Sequence, residues 1–177
     1  MIEGKIIPAV RTTEDLKLAL ETSVKSVFLL NTNIEDVGEQ IEITHRAGKK
    51  LFIHFDLADG IGKDEYGIKY LSKLGADGII STRTNIIKTA KRLGVYTIQR
   101  FFIVDSRSID TTVESVSASK ADVIEIMPGA VPKIITKVKN LVDMPIVAGG
   151  IIETEEEICD ALNSGAIAIS TGKKDLW

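Results

Sequence analysis

The chain has 177 residues, 44% of them hydrophobic and 27% charged, which fits one domain with a substantial core. Its net charge of −3 excludes a global electrostatic pull toward nucleic acid or an anionic membrane, so such a partner needs a local basic patch. The single Cys159 excludes an internal disulfide, argues against a thiolate metal site and makes the cytoplasm the expected compartment. Met1-Ile2-Glu3-Gly4-Lys5 lacks the basic flank and long apolar stretch of a secretory leader, so none is expected. No apolar run approaches the roughly 18 residues of a spanning helix, so no membrane partner is expected either.

Apolar, β-branched runs recur along the whole chain, at Ile6–Val10, Ser26–Leu30, Leu51–Asp56, Gly78–Thr82, Val95–Phe101, Asp122–Met127, Pro145–Gly149 and Ala166–Thr171. They predict eight strands, separated by seven amphipathic stretches. In the fourth stretch Ile86, Ile87, Ala90 and Leu93 share one face and Lys88, Lys91 and Arg92 the other. The fifth repeats Ile109, Val113 and Val116, and the sixth Ile134, Ile135, Val138 and Leu141, both at helical spacing. Thr154 with Glu157 three residues on predicts a capping box for the seventh, within which Cys159 is expected to be packed.

Strands alternating with helices predict a parallel sheet with right-handed crossovers. A closed barrel is favoured over an open sheet because the count is eight and the first turn, Pro8-Ala9-Val10-Arg11-Thr12, lacks the glycines of a dinucleotide loop. The expected fold is therefore a single compact (β/α)8 TIM-type barrel over residues 1–177, short beside the typical length of about 250 residues. Gly172-Lys173-Lys174-Asp175-Leu176-Trp177 is too short for a closing helix, so the last helix is truncated. Leu176 and Trp177, or a second subunit in a homodimer, are the expected cover for the groove between the first and seventh helices.

Functional groups of such barrels lie at the C-terminal strand ends. Gly149, Gly150, Ser170, Thr171 and Gly172 close the last two strands, where backbone N–H groups and hydroxyls make a phosphate cradle. His54 and Asp56 are expected on one face of the third strand, as an acid–base pair, a mutually satisfied buried pair or hydroxyl acceptors. Arg100 and Glu125 read as an interior ion pair lining the pocket. Ser81 and Arg83 follow the fourth strand, Arg83 as an anion contact, and Arg11 ends the first. No lysine lies inside strands five to seven to form a Schiff base, and His45 and His54 fall on different elements, so neither a catalytic residue nor a metal site is assigned. Asp56, Asp59 and Glu125 are the residues from which a Mg²⁺ cage would have to come, and their spacing does not demand one. Lys88, Lys91 and Arg92, with Lys133 and Lys137 one turn apart on the sixth helix, are either solvated faces or the basic patches an RNA would need.

Several segments carry a family resemblance: Ile7-Pro8-Ala9-Val10-Arg11, Ile53-His54-Phe55-Asp56-Leu57, Asp77-Gly78-Ile79-Ile80-Ser81-Thr82-Arg83, Gln99-Arg100-Phe101-Phe102-Ile103-Val104-Asp105-Ser106, Glu125-Ile126-Met127-Pro128-Gly129, Val147-Ala148-Gly149-Gly150, and Ser170-Thr171-Gly172 before Leu176-Trp177. With these the chain resembles the glycerol-3-phosphate-responsive antiterminators of bacterial glycerol-uptake operons. The resemblance implies a barrel used as a sensor, without turnover or cofactor. Its effector would be glycerol 3-phosphate and its target the leader mRNA of glycerol-utilisation genes, in which it prevents transcription termination. Asp56 or Glu125 would then accept from the glycerol hydroxyls. The alternative is a small phosphate-handling isomerase or lyase that uses Asp56, Glu125 or His54 as acid–base groups, and a third reading is a binding protein for phospholipids or phosphodiesters.

Overall fold

The computed structural model describes residues Met1–Trp177. Ten strands, β1 (Ile6–Val10), β2 (Ser26–Leu29), β3 (Thr32–Asn33), β4 (Lys50–His54), β5 (Ala58–Asp59), β6 (Gly78–Ser81), β7 (Thr97–Phe102), β8 (Val123–Met127), β9 (Ile146–Gly149) and β10 (Ala168–Thr171), alternate with seven helices. The helices are α1 (Thr13–Glu21), α2 (Val37–Arg46), α3 (Glu65–Leu74), α4 (Thr84–Arg92), α5 (Ser106–Ser119), α6 (Pro132–Lys139) and α7 (Glu155–Asn163). Eight strands close a parallel barrel in the order β1-β10-β9-β8-β7-β6-β4-β2, as the alternation predicts. The short β3 and β5 pair with each other in a ribbon outside the barrel, a feature without a sequence signal strong enough to predict.

Strand periodicity divides the apolar residues into an inside and an outside set. Ile7, Phe28, Phe52, Ile80, Ile98, Val123, Val147 and Ala168, one from each barrel strand, fill the interior. Phe28 meets Phe52 edge to face, with ring centroids 5.8 Å apart. Alternate residues face the helices in two further clusters, one with Leu51, Ile53 and Ile79 and the other with Ile124, Ile126 and Ile146. Two positions beyond the interior residues, the same face of β4, β7, β8, β9 and β10 carries His54, Arg100, Glu125, Gly149 and Ser170. The apolar floor of the barrel is therefore covered by a polar layer at its C-terminal mouth.

The predicted third strand extends to Asp56, but β4 stops at His54 and a 3-10 turn, Phe55–Leu57, follows. The turn carries the Asp56 carboxylate out of the strand, to the hydroxyls and amide at the end of β6. The capping box of α7 forms between Thr154 and Glu157 as predicted. Cys159, expected to be packed, is exposed on that helix. In place of an eighth helix, a 3-10 turn at Lys174–Leu176 brings Trp177 against the cluster that contains Val10 and Leu16. Its indole Nε1 donates to the Thr171 carbonyl at 2.9 Å, so the chain's own end covers this side of the barrel.

Candidate functional site

A cleft of about 320 Å³ opens at the mouth between the turns after β9 and β10, lined among others by Arg11, Gly150, Ile152, Ser170, Gly172 and Lys173. Gly150 and Ile151 both have left-handed backbone, with φ of +77° and +60°. That conformation is ordinary for glycine and strained for a β-branched residue. The amides of Gly150, Ile151 and Ile152 in this turn, and that of Gly172 after β10, find no acceptor in the chain. Arg11, which follows β1, and Lys173 add positive charge to the same cleft. Arg11 makes no ion pair, and Lys173 reaches only the exposed Asp175, at 3.5 Å. Amides and cations around one cleft suit a phosphate group.

The hydroxyls expected in the cradle turn elsewhere. Ser170 Oγ donates to Glu125 Oε1 at 2.5 Å, inside the barrel. Thr171 Oγ1 donates to the Ile152 carbonyl at 2.8 Å and accepts from the Lys173 amide at 3.0 Å. Gly149 lies beneath the cleft: a Cβ there would stand 2.4 Å from Ser170 Oγ and 2.6 Å from Glu125 Oε1. It is glycine to make room for that hydrogen bond. Gly150, Ser170, Thr171 and Gly172 thus line the cleft, whereas Gly149 supports it.

Deeper in the mouth, Arg100 Nε donates to Glu125 Oε2 at 2.6 Å, the interior pair the sequence suggests, with side chains only 6% and 0% exposed. Glu125 is held at both oxygens, by Arg100 and by Ser170. Arg100 Nη2 and both ring nitrogens of His54, all buried, have no hydrogen-bond partner in the chain. Burial, and then the Arg100 charge, push the His54 pKa down to about 4, so its imidazole is neutral at physiological pH.

His54 and Asp56 do not form the expected pair. The Asp56 carboxylate accepts from Ser81 Oγ at 2.8 Å and from the amide and hydroxyl of Thr82 at 2.8 and 2.9 Å. Burial raises its pKa, and these hydrogen bonds together outweigh burial and hold it below the usual carboxylate range. Ser81 Oγ accepts in turn from the Arg83 amide at 3.1 Å, and Arg83 Nε lies 3.8 Å from Asp56. Asp56, Ser81 and Arg83 are therefore one network that holds the start of α4. Lys63, unassigned from sequence, lies nearby with its Nζ donating to the Ala58 carbonyl and 5.3 Å above the Phe55 ring.

The two basic faces differ. On α4, Lys91 is 2.5 Å from Asp122 and Arg92 3.0 Å from Glu65, leaving Lys88 exposed without an ion pair. On α6, Lys133 and Lys137 are exposed and make no ion pair. The side chains brought together at the mouth do not form a group of three or more His, Cys, Asp or Glu able to hold a metal ion. No helix is long and apolar enough to cross a membrane.

Sequence reasoning named Arg11 only as the end of the first strand and did not name Lys173 as a candidate, and both line the cleft. Their only signal is position, one residue past β1 and two past β10, and lysines and arginines are common at such places.

The sequence pattern of the family described as "Glycerol-3-phosphate responsive antiterminator" matches residues 6–177. The chain is 36% identical over 176 residues to the uncharacterized protein YgcP of Escherichia coli (strain K12), covering 99% of this chain and 92% of that one. The glycerol uptake operon antiterminator regulatory protein of Listeria monocytogenes str. 4b F2365 superposes with a TM-score of 0.93 at 36% identity, over 98% of this chain and 94% of that one. A glycerol uptake operon antiterminator-related protein of Thermotoga maritima MSB8 gives 0.89 at 32% identity, over 100% and 99%. With the whole barrel inside the matched region and relatives above 30% identity over nearly the full chain, the chain belongs to the glycerol-3-phosphate responsive antiterminator family.

Proposed function

We propose that this chain binds glycerol 3-phosphate at the C-terminal mouth of the barrel and, through that binding, controls antitermination in the leader mRNA of glycerol-utilisation genes in the cytoplasm. The observation that carries the reading is the cleft between the β9 and β10 turns. There four residues whose amides have no acceptor in the chain line the same cleft as Arg11 and Lys173. A phosphate dianion is satisfied by such a set, and an uncharged ligand is not. A sensor is favoured over an isomerase or lyase because the carboxylates named for proton transfer are already engaged. Glu125 is held by Arg100 and Ser170, and Asp56 by Ser81 and Thr82. For the RNA, the α6 face with Lys133 and Lys137 is a better candidate than α4, where Lys91 and Arg92 face carboxylates of their own chain.

Calorimetric titration with glycerol 3-phosphate, glycerol and inorganic phosphate tests the ligand. Micromolar binding is expected for glycerol 3-phosphate, weaker binding for phosphate and none for glycerol. Arg11→Ala is expected to weaken the two phosphates by about tenfold each. Absence of glycerol 3-phosphate binding overturns the reading. Filter retention of the leader RNA with and without the ligand tests the output, and retention indifferent to ligand overturns that half.

A further inference from the structure

We propose that His54 and Arg100 form an inner subsite that selects an uncharged, hydroxyl-bearing end of the phosphorylated ligand and rejects a carboxylate at that end. The inference rests on the sensor reading and deepens it, since it assigns the groups that recognise the part of the ligand remote from phosphate.

The two side chains lie two positions along their strands from Phe52 and Ile98, so both project from the interior face of the barrel. Their residues are only 5% and 6% exposed. Three of their polar atoms, His54 Nδ1, His54 Nε2 and Arg100 Nη2, find no partner in the chain. Buried polar atoms without partners are costly and therefore uncommon, and a cluster of them in a barrel mouth marks a place where a ligand or water completes the hydrogen bonds. Ser170 joins this cluster to the phosphate cleft: it lines the cleft, and its hydroxyl donates to Glu125, which accepts from Arg100.

The chemistry of the three atoms restricts what fits. A neutral imidazole presents one N–H donor and one lone pair, and Arg100 Nη2 presents donors only. The chain's own groups favour the neutral imidazole, because burial and the neighbouring Arg100 both oppose its protonation. Two hydroxyls satisfy the set: one accepts from the imidazole N–H, and the other donates to the imidazole lone pair while accepting from Arg100. A carboxylate in place of one hydroxyl has no hydrogen to give, so at that position it can only accept, and the imidazole lone pair then depends on the other hydroxyl alone. The carboxylate also brings a third charge to a balanced pair, because Glu125 already neutralises Arg100 at 2.6 Å. A buried site with a net negative charge is the result, and burial of an unpaired charge is strongly disfavoured. The two ends of the mouth thus differ in kind, with Arg11, Lys173 and amides without an acceptor in the chain at the phosphate end and a neutral, donor-and-acceptor surface at the inner end.

The test is a calorimetric comparison of glycerol 3-phosphate, 3-phosphoglycerate and inorganic phosphate on the full chain, on His54→Leu and on His54→Gln. The native chain is expected to prefer glycerol 3-phosphate to 3-phosphoglycerate by at least about tenfold, as expected when a ligand brings an unpaired charge into a buried site whose own charges are already balanced. His54→Leu is expected to lose about tenfold for glycerol 3-phosphate and to keep its affinity for inorganic phosphate, whereas His54→Gln recovers part of the loss. Comparable affinity of the native chain for the carboxylate analogue overturns the proposal, as does an equal loss of both phosphates in His54→Leu. Should a variant fail to fold by circular dichroism, the native comparison of the two analogues decides alone. No binding of glycerol 3-phosphate to the native chain overturns the sensor reading and this inference with it, while binding without discrimination overturns the inference alone.

Discussion

At the scale of single residues, the polar layer of the mouth is a set of compromises between burial and pairing. Glu125 is completely buried and held from two sides, and Gly149 is glycine because a methyl group would strike that arrangement. His54 is the residue whose environment gives a measurable signature. Its pKa is pushed from 6.5 to about 4, first by burial and then by the Arg100 charge. Between those values the unfolded chain holds a proton that the folded chain refuses, so stability falls as pH falls through this window. By the acid end the loss attributable to His54 is about 3 kcal/mol. Urea unfolding of the native chain should show midpoints that decline from pH 6.5 toward pH 4, and His54→Leu should show a much flatter profile over the same interval. Equal slopes for the two proteins would assign the decline to other groups. Ile151 is strained in a different way, with a positive φ at an exposed position in the turn beside the cleft. Its strain is a local cost carried by the β9 turn, at the same place where the free amides converge.

At the scale of elements, the identity of each barrel strand and each helix was legible, whereas the β3–β5 ribbon and the ends of some elements were not. The β4 strand is the clearest case. Alternation continues through Asp56 in the sequence, but hydrogen bonds from Ser81 and Thr82, about 25 positions away, draw the carboxylate into a 3-10 turn. Local pattern cannot register a competitor that arrives from another strand. The basic faces make the same point. Lys88, Lys91 and Arg92 are one cationic stripe on α4 by helical spacing, but Asp122 and Glu65, from the start of β8 and from α3, neutralise two of them. The α6 lysines keep their charge free, so the RNA prediction moves to them. Lys133→Ala with Lys137→Ala should lower the slope of log affinity for leader RNA against log salt by about 1 to 2, as expected when one or two phosphate contacts are removed. The same double substitution should leave glycerol 3-phosphate binding unchanged, because α6 does not line the cleft. An unchanged salt slope would place the RNA on another face.

At the scale of the molecule, eight strands are wrapped by only seven helices, and the C-terminus compensates. Trp177 packs against the cluster that contains Val10 and Leu16, and its indole donates to the carbonyl of Thr171, the last residue of β10. Cover for the barrel and support for the cleft that Thr171 lines are thus joined in one side chain. Trp177→Ala should cost about 2 kcal/mol, less than for a fully buried tryptophan because the ring is only partly covered. Urea unfolding followed by circular dichroism measures that loss, and a cost near zero would mean that the terminal turn is not part of the cooperative core.

The sequence by itself determined the barrel, because strand and helix periodicity and strand number are local properties of the chain. It also determined which residues stand at the mouth, because the closing residues of the last two strands lie there in any barrel of this order. Only the tertiary structure decided which polar groups are engaged and which are free. Glu125 meets Arg100 across 25 positions and Ser170 across 45, while His54 meets neither Asp56 nor any other partner in the chain. Those pairings depend on strand order, register and the direction of each side chain around a closed sheet. A fold can be read from periods of two and 3.6 residues, but hydrogen bonds across the mouth join residues from different strands and exist only once the ring has closed.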